Sequence, residues 1–314
     1  MEEPSVKLVN ETFINRVSSN DPVMKKQAAD AINDYTRIKM REDGFWRRIL
    51  PPIQITPNEL DRQVDTDKPV KVLDMEPESP AAVSVPFGAL PNNRWIRGRR
   101  YRVMFDRILT PRFTKDVAEL LTYDLDIRQI LSDNSIKDLL AEEDGKIIGV
   151  INSILGGIPD QIVAETNTIQ WRTLDGGVTR DTMAEALSIL PQTSRHLNCA
   201  TVLINNITIW QIVKFTRDEI GGDVSQDLFL RGFTEREIMG VRWIVTIKFG
   251  LVPTNTIFMF AEPKFLGKFF VLDDVTMYVD RKAYLLEYFA YETIGSSIAN
   301  VAGVARADFN AAVA

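Results

Sequence analysis

The chain has 314 residues, 45% hydrophobic and 25% charged, with a formal net charge of −6. These values describe one large or two ordinary globular domains and argue against disorder. The single cysteine, Cys199, excludes an internal disulfide and any multi-cysteine zinc site, and the single histidine, His196, excludes a histidine-rich metal site and makes a histidine-based triad a poor reading.

The longest uncharged stretch, His196–Val213, carries three Asn, a Gln and the His, which is too polar for a membrane span. No N-terminal stretch has the charged-then-apolar order of a signal peptide, and one cysteine fits a reducing cytoplasm. A mildly acidic chain is expected to sit beside DNA without adhering to it.

Asn20 or Asp21 followed by Pro22 reads as a helix start. From there Met24, Ala28, Ala31, Tyr35 and Ile38 recur at helical spacing, a narrow stripe that lies either against a neighbouring surface or on the helix's own core. Residues 51–91 hold eight of the fifteen prolines, so this region is extended, looped or at a sheet edge. Strand-like pieces at Val70–Val72 and Val83–Val85, then Tyr101, Val103 and Phe105 in alternation, predict a long two-stranded excursion. An isolated ribbon is marginal in water, so something else is expected to hold it. Its return arm carries Arg94, Arg97, Arg99, Arg100 and Arg102, interleaved with Trp95 and Tyr101. That arm contacts nucleic acid or an acidic protein neighbour, or is simply solvated; the aromatics favour a docked surface.

A short helix is predicted in TKDVAELLTYD. A long one follows from Ser135, with Ser135 and Asp138 as a capping box; Ile136, Leu139, Leu140, Ile147, Val150, Ile151 and Ile154 hold the spacing, and Gly156–Gly157 supply the stop. Gly145 and Gly149 inside it suggest close backbone packing. Then come a helix at 182–190, a strand at 201–204 and a helix at 207–215. Two apolar runs follow within GVRWIVTIKFGLVPTNTIFMFAEP (Gly240–Pro263), then short strands at 269–272 and 275–279 and a strand-rich segment from 283 to 309. Irregular mixing of helices and strands predicts an α+β fold rather than a βαβ series.

The search for chemistry is negative. Gly145–Lys146 lacks the spacing and the Ser/Thr of a phosphate-binding loop, and no GxGxxG or GxSxG occurs. Ser194 and His196 lack the strand–turn–helix context of a nucleophile. The acidic groups Glu142–Glu143–Asp144, Asp124/Asp126 and Asp273–Asp274 read as solvated faces, and Cys199 as an inert buried thiol. No catalytic, cofactor or metal residue is assigned, and no enzyme activity is expected.

The order of elements carries a resemblance. An N-terminal arm precedes a proline-broken β excursion and a helix containing LLAEEDGKIIGVINSILGG. A strand–Asn–helix unit, TVLINNITIWQIV, then leads into REIMGVRWIVTIKFGLVPTNTIFMF and the segment LLEYFAYETIGSSIANVAGVARADF. This resembles the major capsid proteins of tailed bacteriophages, whose fold is shared by encapsulins and the herpesvirus capsid floor. It implies an N-terminal arm at 1–53, an extended β-hairpin loop at 54–105, a peripheral domain with a long spine helix at 106–178 and 276–314, and an axial domain at 179–275. It also implies a self-assembling shell subunit, forming hexamers and pentamers around DNA that it does not read. Separate scaffolding and portal proteins, and decoration proteins in some cases, would be partners, and the location would be a virion assembled in a host bacterial cytoplasm.

The covalent cross-linking of one branch is not carried over to Lys68 or Lys71. Inter-subunit contact is expected at Arg94, Trp95, Arg97, Arg99, Arg100 and Arg102, with an acidic patch such as Glu142 and Glu143 on a neighbour, and at Met24, Tyr35 and Ile38. An encapsulin-like cellular shell, an oligomeric enzyme and a nucleic-acid-binding module are the alternatives.

Overall fold

A computed structural model describes residues 6–19, 21–62, 67–75, 84–88, 90, 98–121, 127–213, 236–238 and 240–310; side chains at 6, 34–43, 75, 99, 120, 121, 127, 128, 130, 134, 213 and 236–238 lie outside the description. Two sheets and a small ribbon organise it. The long hairpin β14 (Gly267–Lys282) and β15 (Leu285–Ile298) is joined by β1 (Ile53–Gln54), parallel to β14, and by β5 (Asp106–Leu109) and β6 (Phe113–Asp116), both antiparallel to β15. The two short strands expected at 269–272 and 275–279 are one strand, irregular on either side of Asp273, where the register shifts. Val275, Met277, Val279, Leu286, Tyr288 and Ala290 alternate onto one buried face.

Helices cover that face. α1 (Val6–Ser18) and α2 (Pro22–Asp43) pack on β14, and α2 also packs on the spine helix α5 (Ile127–Ile154). The buried side of α2 is Ala28, Ile32 and Asn33, and the Met277 backbone N–H donates to Asn33 Oδ1 at 2.7 Å. Of the stripe read from Met24, Ala28 is buried while Met24 and Ala31 are exposed, and Ile32 and Asn33 take the next inward positions, so this stretch of α2 packs on the chain's own core. α3 (Phe45–Ile49) and α4 (Val117–Leu121) fill the remaining edges.

The spine is longer than its expected start at Ser135. Ser135 is buried inside the helix and its hydroxyl donates to the Leu131 carbonyl, so it caps nothing. Twenty-eight residues span about 42 Å at 1.5 Å each. The C-terminal stop is as expected: Gly156 and Gly157 have φ of 92° and 74°, and their N–H groups bond to Ser153 and Asn152 carbonyls in a Schellman arrangement. Val150 faces outward, and no heavy atom lies within 4 Å of where a Gly149 Cβ would stand, so close packing does not explain that glycine.

The second sheet has the order β11 (Arg236–Ile238), β12 (Val241–Thr246), β10 (Thr201–Asn205), β13 (Thr256–Phe260), β16 (Val304–Phe309) and β9 (Trp171–Leu174). Its middle strands are buried on both faces. Leu203, Ile244, Phe258 and Phe260 join the core under the spine, while Val202, Ile204, Trp243, Ile257 and Met259 form a second core with Met183 and Ala186 of α6 (Arg180–Ser188) and Ile209 and Ile212 of α7 (Asn206–Val213). Two-sided burial explains the near-continuous apolar runs of 241–246 and 256–260. At the end of β10, Asn205 Oδ1 accepts from the Thr208 N–H at 2.7 Å and so caps α7. Sheet membership thus places 304–309 and 171–174 with the strands of 201–260, and 267–275 with the long hairpin, which differs from the expected split at 178/179 and 275/276. A small hairpin, β7 (Ile162–Val163) with β8 (Thr168–Ile169), and a short helix α8 (Pro263–Leu266) complete the body.

Gly267 sits where α8 meets the hairpin. A Cβ there would stand 2.1 Å from the Ser297 carbonyl oxygen and 3.1 Å from the Ala299 nitrogen. Gly267→Ala should therefore lower stability by about 3 kcal/mol, the upper end for overpacking. Thermal unfolding checks this, and an unchanged midpoint would contradict the pairing of Gly267 with Ile298.

Candidate assembly surfaces and a buried charge cluster

The excursion is a three-stranded ribbon. β2 (Asp61–Arg62) pairs with β3 (Pro69–Met75), and β3 pairs with β4 (Arg99–Met104) in the register Val70 with Met104 through Met75 with Arg99. Its base is held by a third small core of Ile55, Val103, Phe105 and Phe270. Beyond the strands Ser84 and Val85 are not in strand, and Val83 lies outside the described residues. Near the tip Phe87 is fully exposed and Leu90 is 91% exposed. Two bare apolar side chains between the ribbon strands suit burial against another surface.

The arginine-rich arm is only partly described: Arg94, Trp95 and Arg97 lie outside the described residues, as does the side chain of Arg99 on β4. Arg100 donates from Nε to Asp74 Oδ1 at 2.8 Å, both side chains about three-quarters exposed, and Arg102 is exposed too. Such an exposed pair is worth about 0–1 kcal/mol. On the body, Glu142 and Met24 are exposed, while the side chains of Tyr35 and Ile38 lie outside the description.

Glu143 is different. Expected on a solvated face, it is wholly buried and bound to its own subunit, so it is removed from the docking patch. The signal was in the sequence: positions 136, 140, 143, 147 and 151 continue one helical stripe, and 144 and 148 flank it. Glu143 and Asp144 occupy core positions on that stripe because each meets a cation. Arg47 of α3 donates from Nε to Glu143 Oε1 and Oε2 at 3.2 and 3.1 Å, and from one NH2 to Glu292 Oε2 of β15 at 2.7 Å. Asp274 stands 3.9 Å from its other terminal nitrogen, and the guanidinium lies over the Phe269 ring. Asp144 accepts from the Trp46 backbone N–H at 3.3 Å and pairs with Lys248, whose Nζ also reaches the Leu140 carbonyl.

The protonation states follow from burial and neighbours. Burial would lower the Arg47 pKa, but Glu143 and Glu292 more than offset it, so the guanidinium stays charged. Burial pushes Glu143 and Asp144 up against the pull of Arg47 and of Lys248. Burial and then the charge of Glu143 push Glu292 up to about 8, with Arg47 opposing. This cluster pins α3 to the spine and the hairpin; it has no catalytic geometry.

The other reactive types are idle. His196, at φ 50°, engages the Pro191 carbonyl through Nδ1 rather than Ser194. Cys199 is half-buried, and burial pushes its thiol up to about 12, far from a thiolate nucleophile. Among the described residues no group of three His, Cys, Asp or Glu is placed to hold a metal, and no helix is long and apolar enough to cross a membrane.

No family model and no curated protein matches the sequence. Solved structures do match the fold. The bacteriophage PhiM1 mature capsid aligns with a TM-score of 0.57 at 7% identity, over 85% of this chain and 87% of that one. The virus-like particle from Pyrococcus furiosus aligns at 0.54 and 13% identity, over 89% and 98%. The capsid of cyanophage P-SCSP1u aligns at 0.53 and 10% identity, over 80% and 86%. The chain has the α+β fold of phage major capsid proteins. At these identities the likeness shows the fold alone.

Proposed function

We propose that this chain is the major capsid protein of a tailed bacteriophage, assembling through hexamers and pentamers into an icosahedral shell that encloses the DNA genome in the virion. The observation that carries this is the ribbon: on a capsid-type body, β3 and β4 lead into a segment in which the apolar Phe87 and Leu90 are left exposed among the described residues. The arginines at 94, 97, 99, 100 and 102, with Trp95, then dock on an acidic surface of the next copy, with Glu142 available and Glu143 not. Met24, Tyr35 and Ile38 remain a second contact candidate on α2. Charge complementarity of this kind sets register and orientation more than affinity. Scaffolding and portal functions come from separate proteins, as does any decoration, and assembly takes place in the host bacterial cytoplasm. The subunit needs no cofactor and performs no catalysis.

Expressed alone or with neighbouring gene products, the chain should form closed megadalton particles visible by electron microscopy, whereas a small oligomer at all concentrations would refute the proposal. Arg97→Glu with Arg100→Glu should abolish those particles while leaving the subunit folded by circular dichroism; normal shells from the double variant would remove the arginine arm from the interface. The likeness to the Pyrococcus virus-like particle supports a second reading, a cellular shell. Particles filled with protein rather than DNA in the native host would favour it.

A further inference from the structure

Arg47 stands between two buried carboxyls: the side chains of Glu143 and Glu292 are both 0% exposed. Counting every element packed around it, two cations face four carboxyls. Arg47 comes from α3 and Lys248 from the turn after β12; Glu143 and Asp144 come from α5, Asp274 from β14 and Glu292 from β15. On the open side, Asp106 of β5 and Lys146 of α5 line, with Glu143, a cavity of about 110 Å³, large enough to admit several waters. Lys146 is itself exposed and solvated. Glu292 Oε1 is buried with no hydrogen-bond partner. A second full negative charge on one buried guanidinium is costly, and the simplest compensation is a bound proton.

We propose that Arg47, Glu143 and Glu292 form a proton-dependent latch, which fastens α3 to the spine and the long hairpin. With the proton on Glu292, Arg47 and Glu143 make a balanced ion pair and Glu292 accepts from the guanidinium as a neutral acid. When that proton leaves, two anions share one cation in a dry site, and the attachment of α3 weakens. The sign follows from the carboxyl held up to about 8. The unfolded chain releases this proton near the ordinary glutamate value of about 4.3, whereas the folded chain keeps it until higher pH. The contribution is therefore full below the ordinary carboxylate range, is lost as pH rises towards about 8, and levels off beyond.

The test uses the full chain before assembly, so its result stands apart from the shell proposal. The infrared C=O stretch of a protonated carboxyl should be present near pH 6 and vanish above about pH 9, and Glu292→Gln should remove it. The urea midpoint of the wild type should fall between about pH 5 and about pH 8, and either Glu292→Gln or Glu143→Gln should cut that fall by roughly half or more. Amide exchange over residues 45–49, divided by the intrinsic rate, should rise at alkaline pH in the wild type and stay flat in Glu292→Gln. A wild type with no protonated-carboxyl band near neutral pH overturns the proposal, as does a Gln variant that keeps the full pH slope. Should Glu292→Gln fail to fold, the wild-type band and the Glu143→Gln slope decide.

Discussion

Replacing Arg47 with Met should cost the isolated subunit about 3–5 kcal/mol, the expected range for removing one partner of a buried ion pair. Met fills much of the volume of the arginine stem, so the loss is electrostatic: Glu143 and Glu292 remain buried with no cation between them. One or both must then take up a proton to stay inside, and the deficit should grow as pH rises. Arg47→Lys should recover only part of the loss, because an ammonium cannot serve Glu143 through Nε and Glu292 through a terminal nitrogen at once. Urea unfolding at fixed pH measures all three chains. A deficit for Arg47→Met below about 1 kcal/mol would mean that the cluster is solvated rather than dry.

Cutting the ribbon short should separate folding from assembly more sharply. Residues 76–98 can be replaced by a two-residue Asn-Gly turn, because Met75 and Arg99 are already paired across β3 and β4. The base core of Ile55, Val103, Phe105 and Phe270 is untouched. The truncated subunit should unfold within about 1 kcal/mol of the full chain, since exposed tip residues stabilise nothing in the monomer. Closed particles should disappear altogether by sedimentation and electron microscopy. Intact shells from this variant would mean that subunits hold together through their bodies alone, and the arm would lose its proposed role.

Much of the fold was legible because its patterns are local. Proline density marked the excursion, 3.6-residue spacing marked the spine, and the double glycine marked its end. The apolar runs at 241–246 and 256–260 announced strands covered on both sides. What escaped depends on partners far away in sequence. Glu143 and Asp144 look like solvent-facing acids until Arg47, nearly a hundred residues earlier, and Lys248, about as far beyond, are brought beside them. The destination of 304–309 is equally non-local, since no pattern within a strand says which sheet it joins. The stripe read on α2 placed Ala28 inward, as found, but the buried side continues through Ile32 and Asn33 rather than Ala31, and Met24 faces outward. The ribbon's arginines could be named from sequence, but the surface proposed to meet them would belong to another copy and leaves no periodic trace in this one.

The placement of β16 has a consequence for how the polypeptide reaches its native state. Among the described residues β9 pairs with β16, well over a hundred residues further along, and β13 is flanked on one side by that same strand. Until residues 304–309 arrive, Trp171–Leu174 has no sheet to join and the hydrogen-bonding groups along one side of Thr256–Phe260 stay open. Pairings so distant are slow to form, and an open edge of such apolar character is a template for mispairing. Closure by this strand is thus expected to come late, and it covers the open edge of an apolar strand. Subunits made in quantity are exposed to wrongful association before that moment and protected after it.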